Sequence, residues 1–349
     1  MFNMDTKIVK INPESIDEKI MEEAGQIIKN GGLVAFPTET VYGLGANALD
    51  EEAALKIYSA KGRPSDNPLI AHISSIDMLD DLVEDISEDA KALMDSFWPG
   101  PMTLIFKKKN IVPDGTTGGL DTIAVRFPSN PIAKMLIDKS GVPIAAPSAN
   151  ISGRPSPTKG EHVIEDMNGR IDMIIDGGMV GMGIESTIVD CTGKPTILRP
   201  GFVTPKMVED VIGTVDVDGG ILAPPKKDFK PKAPGMKYKH YAPKGELTMV
   251  KGDIEKVSKK IAELVNGKRA AVITVDDHKK YYEGLGDDVL IVSLGKTMES
   301  VAHLLFATLR DFDEMGIEII YSEVFEEKEL GVAVMNRLNK AAGYSIIEV

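Results

Sequence analysis

Residues 142–158, VPIAAPSANISGRPSPT, carry the clearest information about the fold. The apolar stretch VPIAA predicts a short buried strand, and the small, hydroxyl and amide residues after it predict a loop. Ligands of α/β sheets collect at the carboxyl ends of strands, where such loops lie. A helix N-cap would explain Ser156 or Thr158 but not the whole loop. The stretch therefore favours an α/β fold with a ligand site.

The rest of the chain extends this pattern in two blocks. In the first block, helices are expected at 14–30 and at about 130–140, 158–168 and 204–212, among short strands such as GLVAF, PLIAHI, MTLIFKK and TIAVRF. Because several strands follow one another directly, a mixed parallel and antiparallel sheet is expected there. The last hundred residues alternate strands with helices at about 253–266, 297–315 and 330–341. That alternation predicts a smaller, Rossmann-like doubly wound parallel sheet.

Charge divides the chain into three parts. The 349 residues suggest about two domains, and the net charge of −13 is the sum of −13 for residues 1–225, +6 for 226–244 and −6 for 245–349. The basic part is also rich in proline, which favours an extended segment between domains. It is either a solvated linker or a cationic strap acting as a lid over an anionic ligand. We expect a catalytic domain at 1–212, a Pro/Lys-rich linker at 213–245 and an α/β domain at 246–349.

Composition excludes several classes of protein. No apolar run approaches the length of a membrane span, and the N-terminus lacks the order of a signal peptide. The single cysteine, Cys191, cannot form an internal disulfide, which predicts a reducing, cytoplasmic location. A net charge of −13 disfavours a general nucleic-acid binder.

Common catalytic motifs are missing from the sequence. Gly295-Lys296-Thr297 lacks the opening glycine of a phosphate-binding loop, because position 290 is Leu. There is no G-x-S-x-G motif, and the five histidines show no metal-ligand spacing. The sequence thus gives no support to nucleophilic or zinc chemistry.

Cations among hydroxyl-rich loops are the main chemical signal. The loops are 37–45 (PTETVYGLG), 61–68 (KGRPSDNP), 184–190 (IESTIVD) and 198–201 (LRPG), and the cations are Lys61, Arg63, Arg126 and Arg199. Simple turns, a helix C-cap, or an internal partner for Arg126 are the competing explanations. Together the loops favour an anionic substrate, phosphates above all, and transfer by positioning and charge stabilisation. Nucleotidyl transfer, usually with Mg²⁺ on the phosphates, is one such reaction.

The same stretches, in this order, resemble the threonylcarbamoyl-AMP synthase family. The matching segments are PTETVYGLG, KGRPSDNPL, SANISGRPSPT, ESTIVD and LRPG, and residues 233–243, APGMKYKHYAP, match the linker of its longer, two-domain type. The resemblance implies a YrdC-like core with a twisted mixed sheet and a concave pocket, a linker and a C-terminal α/β domain.

The resemblance also implies a reaction. L-Threonine, bicarbonate or CO2 and ATP, with Mg²⁺ held through the ATP phosphates and no direct protein metal ligands, would give L-threonylcarbamoyl-AMP and pyrophosphate. The product would pass to a separate tRNA threonylcarbamoyltransferase complex for t6A modification at position 37 of ANN-decoding tRNAs, without tight tRNA binding or membrane attachment of this chain.

The family pattern assigns roles to residues of this sequence. The catalytic centre would comprise Lys61, Arg63, Ser148 and Asn150. The threonine side would comprise Thr40, His72, Arg126, Ala146 and Ser186, with Arg126 pairing the threonine carboxylate. The ATP side would comprise Arg63, Asn67, Thr122, Ser148, Ser156, Arg199 and Tyr241. From its surroundings alone, His72 would be interpreted as a core residue.

Two other functions are alternatives. A YrdC-like surface could serve an RNA-binding or ribosome-maturation module, but the net charge and the lack of basic–aromatic interleaving speak against it. Carbamoyl transfer, as in hydrogenase-maturation proteins, is accompanied by zinc-finger-like regions that a single cysteine cannot form.

Overall fold

A computed structural model describes residues 4–221 and 241–349. The chain divides into two compact units, the first formed by Met1–Ser152 and Ser156–Tyr238 and the second by Gly153–Pro155 and Lys239–Val349. Most of the predicted linker, 213–245, and all of its basic, proline-rich part up to residue 240 lie outside the described residues. The residues just before that part, Asp216–Val217, form a short strand.

The first unit is built on one mixed sheet. Its strands are β1 (Lys7–Lys10), β2 (Val34–Pro37), β3 (Tyr42–Asn47), β4 (Ile70–His72), β5 (Met102–Lys107), β6 (Thr122–Arg126), β7 (Ile144–Ala145), β8 (Met173–Asp176), β9 (Thr187–Asp190), β10 (Thr196–Arg199) and β11 (Asp216–Val217). Across the described residues they lie in the order β1-β8-β2-β3-β7-β4-β6-β5-β9-β10-β11. The sheet contains both parallel pairs, such as β4–β6, and antiparallel pairs, such as β5–β6. The predicted mixed sheet is confirmed.

Helices connect and cover these strands. They are α1 (Glu18–Lys29), α2 (Glu51–Lys61), α3 (Ile76–Leu82), α4 (Glu88–Phe97), α5 (Asp114–Thr117), α6 (Pro131–Ser140), α7 (Gly160–Met167) and α8 (Pro205–Ile212). The apolar faces of α1 and α6 pack with Phe36 and Ile144 of the sheet in one buried core. Burial of each large apolar side chain contributes roughly 1.5–3 kcal/mol to folding.

Two local predictions in the first unit are wrong. The helix expected from residue 14 begins at Glu18, because the Asp17 carboxylate caps it by accepting hydrogen bonds from Lys19 N and Ile20 N. The loop expected over 37–45 contains strand β3, which pairs with both β2 and β7. Gly45 lies inside that strand because a Cβ there would come within 2.7 Å of Ile144 Cγ2 and 2.8 Å of Phe36 Cε1.

The second unit carries a parallel sheet of its own. Its elements are β12 (Glu246–Lys251), α9 (Ile254–Val265), β13 (Ala270–Thr274), a 3-10 helix (Asp276–Tyr282), β14 (Val289–Ser293), α10 (Met298–Glu314), β15 (Ile319–Glu323), α11 (Leu330–Ala341) and β16 (Ile346–Glu348). The strand order in the described residues is β14-β13-β15-β12-β16, with every pair parallel. From β12 the chain passes over β15 to β13 and on to the edge strand β14, and it returns through β15 to β16 at the opposite edge. The predicted doubly wound arrangement is therefore confirmed.

Candidate active site

Helix α2 ends at the first of the predicted cations, Lys61. Gly62 follows with φ +62°, the left-handed conformation that terminates a helix and turns the chain toward Arg63. The Lys61 ammonium is 2% exposed and donates to the carbonyls of Ser148 and Asn150, the latter at 2.5 Å. A buried ammonium needs such partners. Lys61 therefore fixes the loop that follows β7.

That loop lies against strand β3, which joins the two richest motifs of the sequence. Ala149 N donates to Tyr42 O at 2.8 Å and Leu44 N donates to Pro147 O at 2.9 Å. Within the loop, Ser148 Oγ donates to Asn150 Oδ1 at 2.5 Å. The predicted catalytic residues Lys61, Ser148 and Asn150 thus form one hydrogen-bonded group.

Arg63 binds the loop between α2 and β4. Its guanidinium donates to Asn67 O from Nη2 at 3.2 Å and to Pro68 O at 3.2 Å. Tyr58 Oη also donates to Asn67 O, and burial raises the pKa of Tyr58 to about 12, which keeps that hydroxyl protonated. The buried Asn67 Oδ1 accepts no hydrogen bond from the part of the chain that the structure describes. That amide oxygen is a free acceptor in the predicted ATP-side group.

Arg126, at the end of β6, reaches the PTET motif. Its Nη1 donates to Thr40 Oγ1 at 2.9 Å, and its Nη2 lies 2.7 Å from Glu39 Oε1. Thr38 Oγ1 donates to Val41 O at 2.7 Å, so the proton between the Thr38 and Thr40 hydroxyls, 2.9 Å apart, belongs to Thr40. Thr40 consequently offers Arg126 a lone pair.

The ion pair between Arg126 and Glu39 is close but poorly aligned. Both Glu39 carboxylate oxygens and Arg126 Nη2 are buried, and none of them makes a hydrogen bond of acceptable geometry within residues 4–221 and 241–349. Side-chain exposures of 5% for Arg126 and 11% for Glu39 keep water largely away from the pair. Two opposite charges thus face each other with hydrogen-bonding capacity unused, which is the state expected of a site for a polar ligand.

His72 is buried beside this ion pair and is neutral. Its Nδ1 donates to Ile70 O at 3.0 Å, since a carbonyl can only accept. Burial first, and then the charge of Arg126, lower the pKa of His72 to about 3. The Ala146 N–H also donates to Ile70 O, at 2.8 Å, so that donor is already used.

Ser186, just before β9, and Arg199, the last residue of β10, bind each other. Arg199 Nε donates to Ser186 O and its Nη2 donates to Ser186 Oγ, both at 3.0 Å. The Ser186 hydroxyl also contacts Thr103 Oγ1 at 2.7 Å. A residue assigned to the threonine side is thereby bonded to one assigned to the ATP side.

Ser156, Thr122 and Tyr241 complete the predicted set. Ser156 Oγ donates to Glu185 Oε1 at 2.5 Å. Thr122 begins β6 opposite Lys107, and no hydrogen bond between described residues joins it to the other predicted side chains. Tyr241 belongs to the second unit, where its ring stacks on Phe306 at 5.0 Å between centroids.

Sequence reasoning did not single out three residues that the structure brings into these networks. Glu39 and Glu185 stand inside the quoted motifs, and a carboxylate in a loop of otherwise small and hydroxyl residues is the signal that could have marked them. Thr103 lies in the apolar strand β5 and carries no such signal. Thr103 becomes visible only when the fold brings its strand next to Ser186.

Metal-binding clusters and membrane-spanning helices are both absent from the described ranges. Residues 4–221 and 241–349 contain no group of three or more His, Cys, Asp or Glu side chains that could hold a metal ion. No helix within those same ranges is long and apolar enough to cross a membrane.

Comparison with known proteins yields consistent matches over nearly the whole chain. A family model described as "Telomere recombination" matches residues 26–201, and one described as "Threonylcarbamoyl-AMP synthase, C-terminal domain" matches 203–343. The chain is 50% identical to the threonylcarbamoyl-AMP synthase of Pyrococcus abyssi, over 96% of this chain and 98% of that protein. It is 46% identical to the Bacillus subtilis enzyme of the same name, over 95% and 96% of the two chains.

A solved structure agrees with these sequence matches. The crystal structure of P. abyssi Sua5 complexed with L-threonine is similar to this chain with a TM-score of 0.92 and 49% identity, covering 99% of this chain and all of that one. The similarity extends through both units.

Proposed function

Since the chain belongs to the threonylcarbamoyl-AMP synthase family, we propose that it is a nucleotidyltransferase that makes L-threonylcarbamoyl-AMP and pyrophosphate from L-threonine, bicarbonate and ATP. The amine of threonine and bicarbonate form a carbamate. A carbamate oxygen then attacks the α-phosphorus, a new P–O bond forms, and the bond to the β-phosphate oxygen breaks to release pyrophosphate. No enzyme nucleophile takes part.

The main observation behind this proposal is the environment of Arg126. Arg126 is buried with an Nη2 that no aligned hydrogen bond uses among the described residues, and a carboxylate is the group an arginine fork binds best. The P. abyssi relative was crystallised with L-threonine and is 49% identical. We assign the threonine carboxylate to Arg126, and its surroundings to Thr40, His72, Ala146 and Ser186.

A neutral His72 suits this assignment. A protonated imidazole there would add a second positive charge beside Arg126, and burial together with Arg126 prevents it by lowering the pKa of His72 to about 3. The neutral ring leaves the carboxylate to Arg126.

The phosphate side is assigned to the second group of cations. Two anions, carbamate and triphosphate, must approach each other, and fixed positive charges in a poorly hydrated site offset their repulsion. Lys61 and Arg63 are such charges, at 2% and 9% exposure, with Ser148 and Asn150 beside Lys61. Asn67, with its unused amide oxygen, and Thr122, Ser156, Arg199 and Tyr241 complete the proposed ATP side.

Magnesium enters the proposal only with ATP. Its role would be to neutralise the triphosphate, whose oxygens are ligands that Mg²⁺ prefers. No step is assigned to a metal held by the protein. The wider role proposed is supply of the activated threonylcarbamoyl group to a separate tRNA-modifying complex for t6A at position 37, in the cytoplasm.

The test is the substrate dependence of pyrophosphate release by the purified chain. We expect release to require threonine and bicarbonate together, above any slow ATP hydrolysis. Threonine replaced by serine or valine tests whether both the hydroxyl and the methyl group are recognised. Release at the full rate without threonine would contradict the proposal.

A further inference from the structure

We propose that Glu39 is a catalytic residue of this reaction: its carboxylate binds the ammonium group of threonine and takes one proton from that nitrogen as the carbamate forms. The inference rests on the proposed function and adds to it a recognition element for the α-amino group. The family pattern assigns Glu39 no role, since Thr40 is the residue of the PTET motif that was expected to contact the substrate.

The position of Glu39 is the first support. Its Oε1 lies 2.7 Å from Arg126 Nη2, so the carboxylate adjoins the group assigned to the threonine carboxylate. Neither oxygen of Glu39 makes a hydrogen bond of acceptable geometry to any other residue that the structure describes. Buried carboxylate oxygens without hydrogen bonds are costly, and a ligand that supplies N–H donors removes that cost.

Charge matching is the second support. An α-amino acid carries a carboxylate and an ammonium on the same carbon, and the Arg126–Glu39 pair presents the two complementary charges side by side. When the zwitterion enters between them, Arg126 exchanges Glu39 for the ligand carboxylate, and Glu39 exchanges Arg126 for the ammonium. Each buried charge keeps an opposite partner throughout.

The same arrangement disfavours ligands that lack the amino group. A hydroxy acid without an ammonium would bring a second carboxylate beside Glu39 and give that residue no donor. Such a ligand binds weakly because its carboxylate is repelled by Glu39 and because Glu39 receives no hydrogen bond from it. The pair is therefore a selectivity element for α-amino acids.

The chemistry of carbamate formation supplies the third argument. A threonine ammonium and bicarbonate give a carbamate, water and one proton: the N–C bond forms, the C–OH bond of bicarbonate breaks, and the leaving hydroxide takes one N–H proton as water. The remaining proton needs an acceptor at the nitrogen. Glu39 fills that role and later returns the proton to solvent.

Three other titratable residues of the candidate site are less suitable as acceptors. His72 already uses Nδ1 as a donor to Ile70 O, and a proton added to the ring would place a second positive charge beside Arg126. The Lys61 ammonium is a donor to two carbonyls, and Glu185 Oε1 is already occupied by the Ser156 hydroxyl. Glu39 is the carboxylate that contacts Arg126.

The experiment compares wild type, Glu39→Gln, Glu39→Asp and the surface control Glu88→Gln. In the wild type the Glu88 carboxylate forms a solvent-exposed ion pair with Lys91. The readouts are steady-state rates with threonine and ATP, and calorimetric binding of threonine and of 3-hydroxybutanoate, which is threonine without its amino group. Circular dichroism and thermal melting establish that each variant is folded.

Glu39→Gln should lower kcat/KM for threonine about 100-fold and change KM for ATP less than about twofold. It should also bind 3-hydroxybutanoate more tightly than wild type does, because Arg126 loses its competing carboxylate. Glu39→Asp should keep the preference for threonine over 3-hydroxybutanoate at a reduced rate, and it carries the test if Glu39→Gln does not fold.

Failure of the role of Glu39 can be distinguished from failure of the proposed function. In a wild type that makes product, equal weakening of both ligands in Glu39→Gln, or a normal rate, would overturn the role of Glu39 and leave the proposed function standing. A wild type that neither binds threonine nor releases pyrophosphate would overturn the proposed function and the role of Glu39 with it.

Discussion

Two buried cationic centres in the first unit differ in how completely the protein itself satisfies them. The Lys61 ammonium donates to the carbonyls of Ser148 and Asn150 and so ties down a loop. Arg126 lies against Glu39 at 2.7 Å, but the two groups are not aligned as a hydrogen bond. The comparison teaches that burial of a cation does not by itself mark a binding group.

The largest effect is expected at the unsatisfied centre. Arg126→Met removes the proposed carboxylate ligand and leaves Glu39 buried without its opposite charge. We expect kcat/KM for threonine to fall about 1,000-fold and the free energy of unfolding to fall by about 3–5 kcal/mol. Steady-state kinetics and urea denaturation measure the two quantities.

The double variant Arg126→Met/Glu39→Gln is the matched control for that prediction. Removing the second charge should restore roughly 2 kcal/mol of the lost stability and none of the activity. If stability does not recover, Glu39 and Arg126 do not depend on each other and the comparison of the two centres fails.

The satisfied centre should respond differently. Lys61→Met leaves two buried carbonyls without a donor, so we expect a loss of about 3 kcal/mol in unfolding free energy together with roughly 100-fold lower product formation. Lys91→Met, at an exposed lysine paired with Glu88, is the control and should change neither quantity. Wild-type stability in Lys61→Met would show that the ammonium does not hold the loop.

Acid stability sharpens the account of the Arg126 centre. The pKa of His72 is about 3 in the folded chain, and the ordinary value of 6.5 applies to the unfolded chain. Between those values the unfolded chain binds a proton that the folded chain does not, so the contribution of His72 to stability falls as the pH falls below 6.5, by up to about 1.4 kcal/mol per pH unit. Chemical denaturation of wild type and His72→Gln from pH 6.5 to 4.5 measures this.

The expected result is a steeper fall for wild type than for His72→Gln. The two proteins share every other titrating group, so the difference between their curves isolates this histidine. Parallel curves would mean that His72 protonates as readily in the folded chain as in the unfolded one.

The smallest effect is expected at the hydroxyl that supports Arg126. Thr40→Val keeps the shape of the side chain but removes the acceptor for Arg126 Nη1 and the donor to Thr38. One such hydrogen bond is worth about 1 kcal/mol, so kcat/KM for threonine should fall roughly 5- to 10-fold. Thr40→Ser retains the hydroxyl and should stay within about twofold of wild type. A loss in Thr40→Ser together with a normal rate in Thr40→Val would point to the methyl group instead.

The fold could be predicted from local patterns wherever the spacing of apolar residues agreed with the residues that end helices and strands. The strand–helix alternation after residue 245 led directly to the parallel sheet of the second unit. The prediction failed at β3, because the glycines at 43 and 45 suggest a turn. Gly45 is instead required by the close approach of Ile144 and Phe36, a tertiary contact that the local sequence does not contain.

The site could be predicted as a set of residues but not as a set of contacts. The sequence identified Lys61, Arg63 and Arg126 as the cations of interest, and left open whether Arg126 meets an internal partner or a ligand. Its partner, Glu39, is 87 positions away. Only the folded chain can bring two such distant charges together, and only its geometry reveals that their hydrogen-bonding capacity is unused.

The most direct test of the central claim is mass spectrometry of the purified chain incubated with ATP, L-threonine and ¹³C-bicarbonate. Our account predicts threonylcarbamoyl-AMP carrying the labelled carbon, formed together with pyrophosphate and absent when threonine is replaced by 3-hydroxybutanoate. Pyrophosphate without any labelled adenylate, or AMP as the only nucleotide product from the first seconds of the reaction, would contradict it.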